Sequence, residues 1–206
     1  MTATQAKADR PSTRRTDAKR ATILRAGKQV FLRHGFGGTS MDAVAAHARV
    51  SKMTVYRHFG SKEDLFAGVI TELCEQIVEE DLEAMLQRDP PQALRAFAEK
   101  MVAIVFAPDT VELHRIVVAE SRRFPRLGKF FYANGPEACI AMLAAYFKRN
   151  RRHPAFRIRE PRRAAEEFLE LLRGYAHLRA LLGIEKGPSA QEIGARIESA
   201  VRHVLA

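Results

Sequence analysis

The sequence predicts an all-α protein: a three-helix helix-turn-helix head, joined by a long helix to a helical-bundle body. Two observations carry this prediction. Apolar residues recur at intervals of three and four along most of the chain, and no stretch alternates with the period of a β-strand. Between Thr39 and Lys62, capping residues bracket two helices that are too short to be stable unless they dock on a neighbour.

Composition places the chain among globular proteins with an uneven charge. It has 206 residues, of which 47% are hydrophobic, enough for a real core. Residues 1–60 contain 12 Lys/Arg and 3 Asp/Glu, whereas residues 61–206 contain 22 and 21. A run of charge is usually a solvated surface. Here the excess of positive charge is restricted to the segment with the two short helices, which favours a surface that binds phosphates.

No targeting or metal-binding pattern is visible. The first twenty residues lack an apolar signal segment, and apolar runs such as Met101–Ala107 are too short to cross a bilayer. We therefore expect a cytoplasmic protein without membrane contact. Cys74 and Cys139 lie in helical patterns outside any metal spacing, so reduced thiols are expected and a redox role stays open. No cofactor, metal or catalytic residue is predicted.

The head begins with a basic arm and a first helix. Residues 1–13 predict a disordered arm that could reach DNA or could only improve solubility. The first helix is expected from Arg14 or Asp17 to His34, and the glycine-rich turn at 35–38 ends it. Its apolar stripe consists of Ile23, Ala26, Val30 and Phe31.

Two short helices then form the helix-turn-helix. Thr39 and Asp42 have the spacing of a capping box, which opens a helix with an apolar face of Met41, Val44, Ala45 and Ala48. Ser51 can cap the second helix, 52–59, in which Val55 and Phe59 face the core. Gly60 stands where a left-handed helix stop is expected. The polar side of the second helix then faces outward, as a recognition helix does in a major groove.

Here the sequence resembles the TetR family of bacterial transcriptional regulators. The resemblance covers about the first third of the chain and rests on FLRHGF with Phe31 and Gly35, Thr39-Ser40, Ala45, Ala48, Val50-Ser51-Lys52, the run 54–59, and the run 61–66. Arg49 and Met53 depart from the family pattern, which often has glycine at both positions. Arg49 would need a left-handed backbone, or the turn must differ.

The resemblance implies a set of DNA-binding residues: Thr39, Ser40, Ser51, Lys52, Met53, Thr54, Tyr56, Arg57, His58 and Lys62. Within this set, it implies that Lys52, Met53 and Thr54 meet base edges. Phosphates would be held by Thr39, Ser40, Tyr56, His58 and Lys62.

The body is predicted from proline and glycine breaks. Ser61 and Asp64 open a long helix to about Arg88, and further helices are expected near 92–106, 109–123, 126–149, 161–182 and 189–205. Breaks at Pro108, Pro125 and Gly135-Pro136 interrupt or restart them. A basic, proline-containing loop occupies 148–163. The predicted domains are therefore the arm 1–13, the DNA-binding domain 14–62 and a ligand-binding and dimerisation domain 63–206.

A second, shorter resemblance covers the body. The run 117–127, with Phe130-Phe131-Tyr132 and Gly135-Pro136, is similar to the C-terminal domain of AefR-like repressors. This implies a cavity for a small apolar or aromatic effector, with candidate lining residues Phe97, Met101, Val105, His114, Phe130, Tyr132, Phe168, Leu172 and Tyr175. Ordinary core packing is the simpler interpretation for each of them. The family also pairs its last two helices in a homodimer, here through Phe168, Leu172, Tyr175, Leu182, Ile193, Ile197 and Val201.

Three functions remain open at this point. The first is a dimeric regulator, in the form of a repressor that an effector releases from a palindromic operator. The second is a constitutive, weakly specific DNA-binding protein without an effector. The third is a small helical enzyme, for which no phosphate-binding loop, nucleophile elbow or paired-carboxylate pattern exists in the sequence.

Overall fold

The fold is all-α, as the sequence predicts. The computed structural model describes residues 11–78 and 89–205. Within these ranges there are ten helices and no strand; the sole β interaction is an isolated bridge between Phe156 and Leu205. The helices are α1 (Pro11–Gly38), α2 (Met41–Ala48), α3 (Lys52–His58), α4 (Lys62–Val78), α5 (Pro90–Val105), α6 (Pro108–Glu120), α7 (Pro125–Asn134), α8 (Pro136–Asn150), α9 (Pro161–Leu181) and α10 (Ala190–Val204).

The chain divides into two compact units between Val69 and Ile70, within α4. Helix α1 begins at Pro11, earlier than expected, and the rest of the predicted arm lies outside the described residues. So do residues 79–88, the last part of the long helix predicted to run to Arg88. The helix predicted over 126–149 is divided at Gly135 into α7 and α8, where Pro136 starts the new helix.

Three phenylalanines form the centre of the first unit. The ring of Phe31 stacks on Phe36 at 5.9 Å between centroids, and Phe66 meets both rings edge-on at 4.9 and 5.5 Å. All three side chains are fully buried. Edge-to-face and offset stacks are the favoured arrangements of aromatic rings, so this cluster joins α1, the turn after it, and α4.

Helix α1 breaks at Gly35, within its last turns, and the turn that leads from this break to α2 needs a glycine. Gly35 has φ 67° and ψ 177°, a backbone conformation that a side chain makes unfavourable. Its carbonyl accepts a hydrogen bond from the Thr39 hydroxyl at 2.7 Å. Because Thr39 is used to close this turn, it does not cap α2 as predicted. Ser40 is the N-cap, and its hydroxyl accepts from the Ala43 N–H at 3.1 Å.

The helix-turn-helix has the predicted apolar face and a strained turn. Met41, Val44, Ala45 and Ala48 are buried, as are Val55 and Phe59. Arg49 adopts the left-handed conformation, φ 54° and ψ 42°, and the Val50 N–H donates to the Ala45 carbonyl at 3.0 Å. Ser51 caps α3, as predicted. The prediction for Gly60 is wrong: its φ is not positive, because Phe59 leaves α3 in an extended conformation.

The core of the second unit lies among α5, α8, α9 and α10. Its largest fully buried side chains are Phe97, Tyr146, Phe147 and Phe168. The Phe168 ring lies 6.2 Å from that of Phe97 and 6.4 Å from that of Phe147.

Most of the residues predicted to form the dimer interface belong to this core instead. Four of the seven residues are almost fully buried within a single chain: Phe168, Leu172, Ile197 and Val201. Ile193 is half-buried and packs against the same core. These side chains hold α9 against α10 within one chain, and the four buried ones leave almost no surface for a second copy. Only Tyr175 and Leu182 are exposed, at 78% and 66%.

Candidate DNA-binding surface and ligand cavity

Helix α3 presents an exposed face in the first unit. Its buried side is Val55, whose packing orients the seven-residue helix. Lys52, Met53, Tyr56 and Arg57 are exposed, and Met53 is 77% accessible. A methionine with this exposed fraction has no packing role. Its side chain, near the start of the helix, is therefore available for contact with a partner.

The first residue of α3 is already paired with a carboxylate. The Lys52 ammonium lies 2.8 Å from Asp42, on α2, and this pair raises the pKa of Lys52. Lys52 also lies 5.9 Å from the centre of the Tyr56 ring. The cation therefore stands at the N-terminal end of α3, held by partners on both sides.

Lys62 has a structural environment that its sequence position did not reveal. Its ammonium donates to the carbonyl of Phe36 at 2.7 Å and to that of Thr39 at 3.0 Å. It also lies 4.6 Å from the centre of the Phe36 ring. The first residue of α4 thus ties down the turn between α1 and α2.

Two other predicted phosphate contacts have polar atoms that are buried. Thr39 is 4% exposed, and both its N–H and its hydroxyl donate within the turn, to Phe36 and Gly35. Its donors are therefore not available for a phosphate. His58 Nε2 is buried without a hydrogen-bond partner among the described residues. Burial, aided by Arg57, Arg20 and Lys19, lowers the pKa of His58, which favours its neutral form at pH 7.

A cavity of about 260 Å³ lies within the second unit. Helices α4, α5, α7 and α8 supply a mainly apolar wall: Leu73, Met101, Ile104, Val105, Phe131, Tyr132, Gly135, Pro136, Cys139 and Ile140. Helices α6 and α9 supply a mainly polar wall, which also includes Leu169. Its polar residues are Thr110, His114, Glu166, Glu170, Arg173 and His177. An apolar cavity with a few convergent polar groups is typical of a small-molecule site.

Two histidines face each other on the polar wall. The rings of His114 and His177 are 5.2 Å apart between centroids and tilted by 32°. Phe131 lies 4.8 Å from His114, and Phe106 meets His177 edge-on. Burial and the charge of Arg173 lower the pKa of His114. Burial first, then His114 and Arg173, lower that of His177 to about 4, so both rings are neutral at pH 7.

Comparison with known families decides the identity. The family described as bacterial regulatory proteins, tetR family, matches residues 23–69. The family described as AefR-like transcriptional repressor, C-terminal domain, matches residues 92–206, more than half of the chain. The chain belongs to the TetR family. Both predicted resemblances are thereby confirmed. Because TetR proteins are transcriptional regulators and not enzymes, the enzyme hypothesis is discarded.

Individual relatives are similar in sequence to only part of this chain. The HTH-type transcriptional repressor SCO4008 of Streptomyces coelicolor is 41% identical over 54 residues, which are 26% of this chain and 28% of the relative. The HTH-type transcriptional activator FasR of Mycolicibacterium smegmatis is 34% identical over 84 residues, or 40% and 38%. The chain thus spans well under half the length of these curated relatives.

Solved structures match over most of their length. The flavonoid-responsive regulator FrrA is 36% identical, with a TM-score of 0.70, and the match covers 92% of this chain and 98% of FrrA. A TetR-family regulator from Mesorhizobium loti MAFF303099 has a TM-score of 0.81 at 24% identity, covering 93% and 99%. The latter shows the shared fold. TetR-family regulators bind DNA and small-molecule effectors and function as dimers.

The cavity of this TetR protein contains four of the nine predicted effector residues: Met101, Val105, His114 and Tyr132. Phe97, Phe168 and Leu172 are in the core instead, and Phe130 and Tyr175 are not among the lining residues. Helical spacing shows which side chains are buried, but it does not show whether they face other side chains or a void.

Sequence reasoning missed most of the polar wall. Glu166, Glu170, Arg173 and His177 recur at intervals of four, three and four on α9, and Thr110 lies one turn before His114 on α6. These spacings were present in the sequence. They read as a solvated helix face, since charged residues are rarely buried. Among the described residues, no group of three or more His, Cys, Asp or Glu could hold a metal ion, and no helix could cross a membrane.

Replacement of Lys62 by methionine should destabilise the first unit. The change keeps an apolar stem but leaves two partly buried carbonyls without their donor, at a cost of about 1–3 kcal/mol. Thermal unfolding of the full chain would measure the loss. Lys148→Met, at an exposed position of the second unit, is the matched control. Equal stability of the Lys62 variant and this control would contradict the structural role.

Acid should destabilise the second unit through His177. As the pH falls below about 6.5, the unfolded chain protonates this histidine, whereas the folded chain does not until about pH 4. His177 therefore contributes stability that is complete above pH 6.5 and lost as the pH falls toward 4. His114 and Arg173 disfavour its charge, and Glu170 favours it.

The test compares urea unfolding at pH 7 and pH 5. Three of the four tyrosines lie in the second unit, so tyrosine fluorescence reports mainly on it. We expect wild type to lose roughly 1–2 kcal/mol more than His177→Gln over this interval. His34→Gln, at an exposed position of the first unit, should behave as wild type. An identical loss in wild type and His177→Gln would refute the assignment.

Proposed function

We propose that this TetR-family protein is a homodimeric repressor that binds a palindromic operator and is released by a small aromatic effector. It would act in the cytoplasm, on the double-stranded DNA of the cell that makes it. The domain division behind this proposal assigns residues 14–62 to DNA binding and residues 63–206 to ligand binding and dimerisation.

The main support for DNA binding is the exposed face of α3, which lies within the residues that match the tetR family. The buried Val55 orients a helix whose outer side carries Lys52, Met53, Tyr56 and Arg57. The two cations suit phosphates or guanine edges, and the methionine suits a thymine methyl. The concentration of net positive charge in residues 1–60 supports the same partner.

The proposed DNA contacts are assigned to polar and apolar side chains that are not fully used in hydrogen bonds within the first unit. Lys52, Met53 and Thr54 would contact base edges. Phosphates would be held by Ser40, Tyr56 and Arg57, with Ser51 at the start of the helix. Ser40 uses its oxygen as a helix cap, which leaves its hydroxyl proton to donate to an anion. The Ser51 hydroxyl also caps a helix, but it lies 2.8 Å from the Thr54 hydroxyl, so one of these two groups already donates to the other. Lys62 keeps one donor besides the two that hold carbonyls, so a phosphate contact would be its second role.

The body supports a ligand-responsive regulator over a constitutive DNA-binding protein. A protein without an effector has no use for a cavity of about 260 Å³ with a polar wall. FrrA, whose match covers nearly all of its length, is named as flavonoid-responsive, which supports an aromatic effector here. The similarity of residues 92–206 to AefR-like repressors supports repression.

An exposed apolar stripe supports the homodimer. Tyr175 and Leu178 on α9 and Leu182, directly after it, recur at intervals of three and four, and all three are exposed. Apolar patches of this kind on a soluble protein often mark interfaces. A two-fold axis would also give the paired heads that a palindrome requires.

Base readout can be tested on a selected operator. Fragments bound from random DNA would define the operator, and titrations on its single-base variants at two salt concentrations would follow. We expect Met53→Ala and Lys52→Ala to relax preference at individual base pairs, at about 1–3 kcal/mol for each direct contact. Tyr56→Phe should weaken binding equally on every variant. No sequence selectivity in wild type would disprove the proposed function.

The dimer can be tested by charging its proposed interface. The double variant Tyr175→Asp, Leu182→Asp should be a monomer at micromolar concentration in sedimentation velocity, where wild type is a dimer, because two carboxylates would face the apolar stripe. Val118→Asp, on the exposed side of α6, should remain a dimer. A wild-type monomer under these conditions would rule the interface out.

A further inference from the structure

The polar wall of the cavity contains two kinds of group. Its charged residues already have partners on their own helix: Glu170 pairs with Arg173, and Glu166 with Arg162 at 3.1 Å. A ligand that supplied a full charge would have to break one of these pairs. The charged groups therefore give the cavity no net demand for an ionic ligand.

The neutral groups of the wall, in contrast, lack partners. The Thr110 hydroxyl oxygen is buried with no hydrogen bond among the described residues. His177 is 8% exposed, and no hydrogen bond joins it or His114 to another described group. The buried Thr110 oxygen is costly without a partner, and a ligand that supplies a hydrogen bond recovers this cost.

These three groups differ from charged recognition groups in what they can accept and donate. Each neutral imidazole offers one N–H donor and one acceptor nitrogen, and the threonine hydroxyl offers both functions. Burial and Arg173 keep the two imidazoles neutral at pH 7. A ligand hydroxyl, which also donates and accepts, complements this set, whereas an ether or a carboxylate fulfils only the acceptor half.

The rest of the cavity indicates a flat, apolar ligand. Phe131 and Tyr132 on α7, with Met101 and Ile140, line the same cavity as the histidine pair, and the rings of Phe131 and His114 are 4.8 Å apart. Aromatic rings and methionine favour contact with another π-system. A volume of about 260 Å³ lies just below the range of roughly 300–1,000 Å³ for drug-sized ligands, which favours a ligand of few rings.

We propose that Thr110, His114 and His177 form a recognition centre for the hydroxyl group of a neutral phenolic ligand. This inference rests on the proposed function, since it specifies the chemistry of the effector in the same cavity. It also assigns roles within the cavity: the three polar groups select the hydroxyl, and the apolar wall binds the ring.

The test uses three naphthalene probes that differ in one substituent: 2-naphthol, 2-methoxynaphthalene and 2-naphthoate. The chain has no tryptophan, so probe fluorescence can be excited beyond the absorption of the protein. We expect wild type to bind 2-naphthol about tenfold or more tightly than the methyl ether, the ratio expected for one buried hydrogen bond. The naphthoate should bind more weakly than 2-naphthol.

Variants locate the preference. Thr110→Val and His177→Phe keep the approximate shape of the wall and remove hydrogen-bonding atoms. Each should reduce the preference for 2-naphthol to less than about threefold, while the affinity for the ether changes little. His34→Phe, an exposed position of the first unit, should keep the full preference. If circular dichroism shows that His177→Phe does not fold, His177→Leu and Thr110→Val carry the comparison.

The outcomes separate this inference from the proposed function. Equal affinity for 2-naphthol and its ether, no binding of either, tighter binding of the naphthoate, or a full preference in both variants would each overturn the recognition centre. Operator selection without any probe tests the regulator independently. Sequence-selective DNA binding with no hydroxyl preference would support the regulator and contradict the recognition centre. A hydroxyl preference without sequence-selective DNA binding would support the recognition centre and contradict the regulator.

Discussion

The DNA-binding head depends on how three aromatic rings and one ammonium group fix a turn. Phe31, Phe36 and Phe66 pack edge-to-face and stacked, and they join α1 to α4. Lys62 then holds the carbonyls of Phe36 and Thr39 from the start of α4. Because α2 begins directly after this turn, its orientation is set there, and α3 follows through the short turn at Arg49. Two helices of eight and seven residues have no stability of their own, so this arrangement supplies it.

Helix α9 has the corresponding central position in the second unit, because its faces have different tasks. One side packs Phe168 and Leu172 into the core. A second side lines the cavity with Glu170, Arg173 and His177. The helix is interrupted at Gly174, with φ 45° and ψ −154°, where an added Cβ would lie 2.6 Å from the Arg196 guanidinium. The exposed apolar stripe begins at the next residue.

Much of this architecture could be predicted from the sequence. The period of apolar residues located nearly every helix, and Ser51 and Ser61 marked helix starts correctly. Local chemistry alone could not choose between Thr39 and Ser40 as the cap of α2, because the choice depends on a hydrogen bond to Gly35. The spacing of apolar residues likewise could not show whether a residue belongs to the core, the cavity or an interface. Leu172, Met101 and Leu182 all lie on apolar stripes, yet they have three different environments.

The cavity was the least predictable part for a physical reason. Its apolar wall looks like any core stripe, and its polar wall looks like a solvated face. Only the tertiary arrangement brings Thr110, His114 and His177 together out of water. Charged neighbours such as Glu170 and Arg173 tolerate this position because they pair with each other.

The pair between Lys52 and Asp42 has a consequence for the search along DNA. A lysine neutralised by its own carboxylate adds little to the attraction that any phosphate backbone exerts on the head. On the proposed assignment, a base edge must compete with Asp42 for the ammonium, and a guanine with two acceptors competes better than other bases. The carboxylate thus acts as an internal competitor: it weakens attachment to the bulk of the genome more than attachment to the operator, and so shortens the time spent at wrong sites.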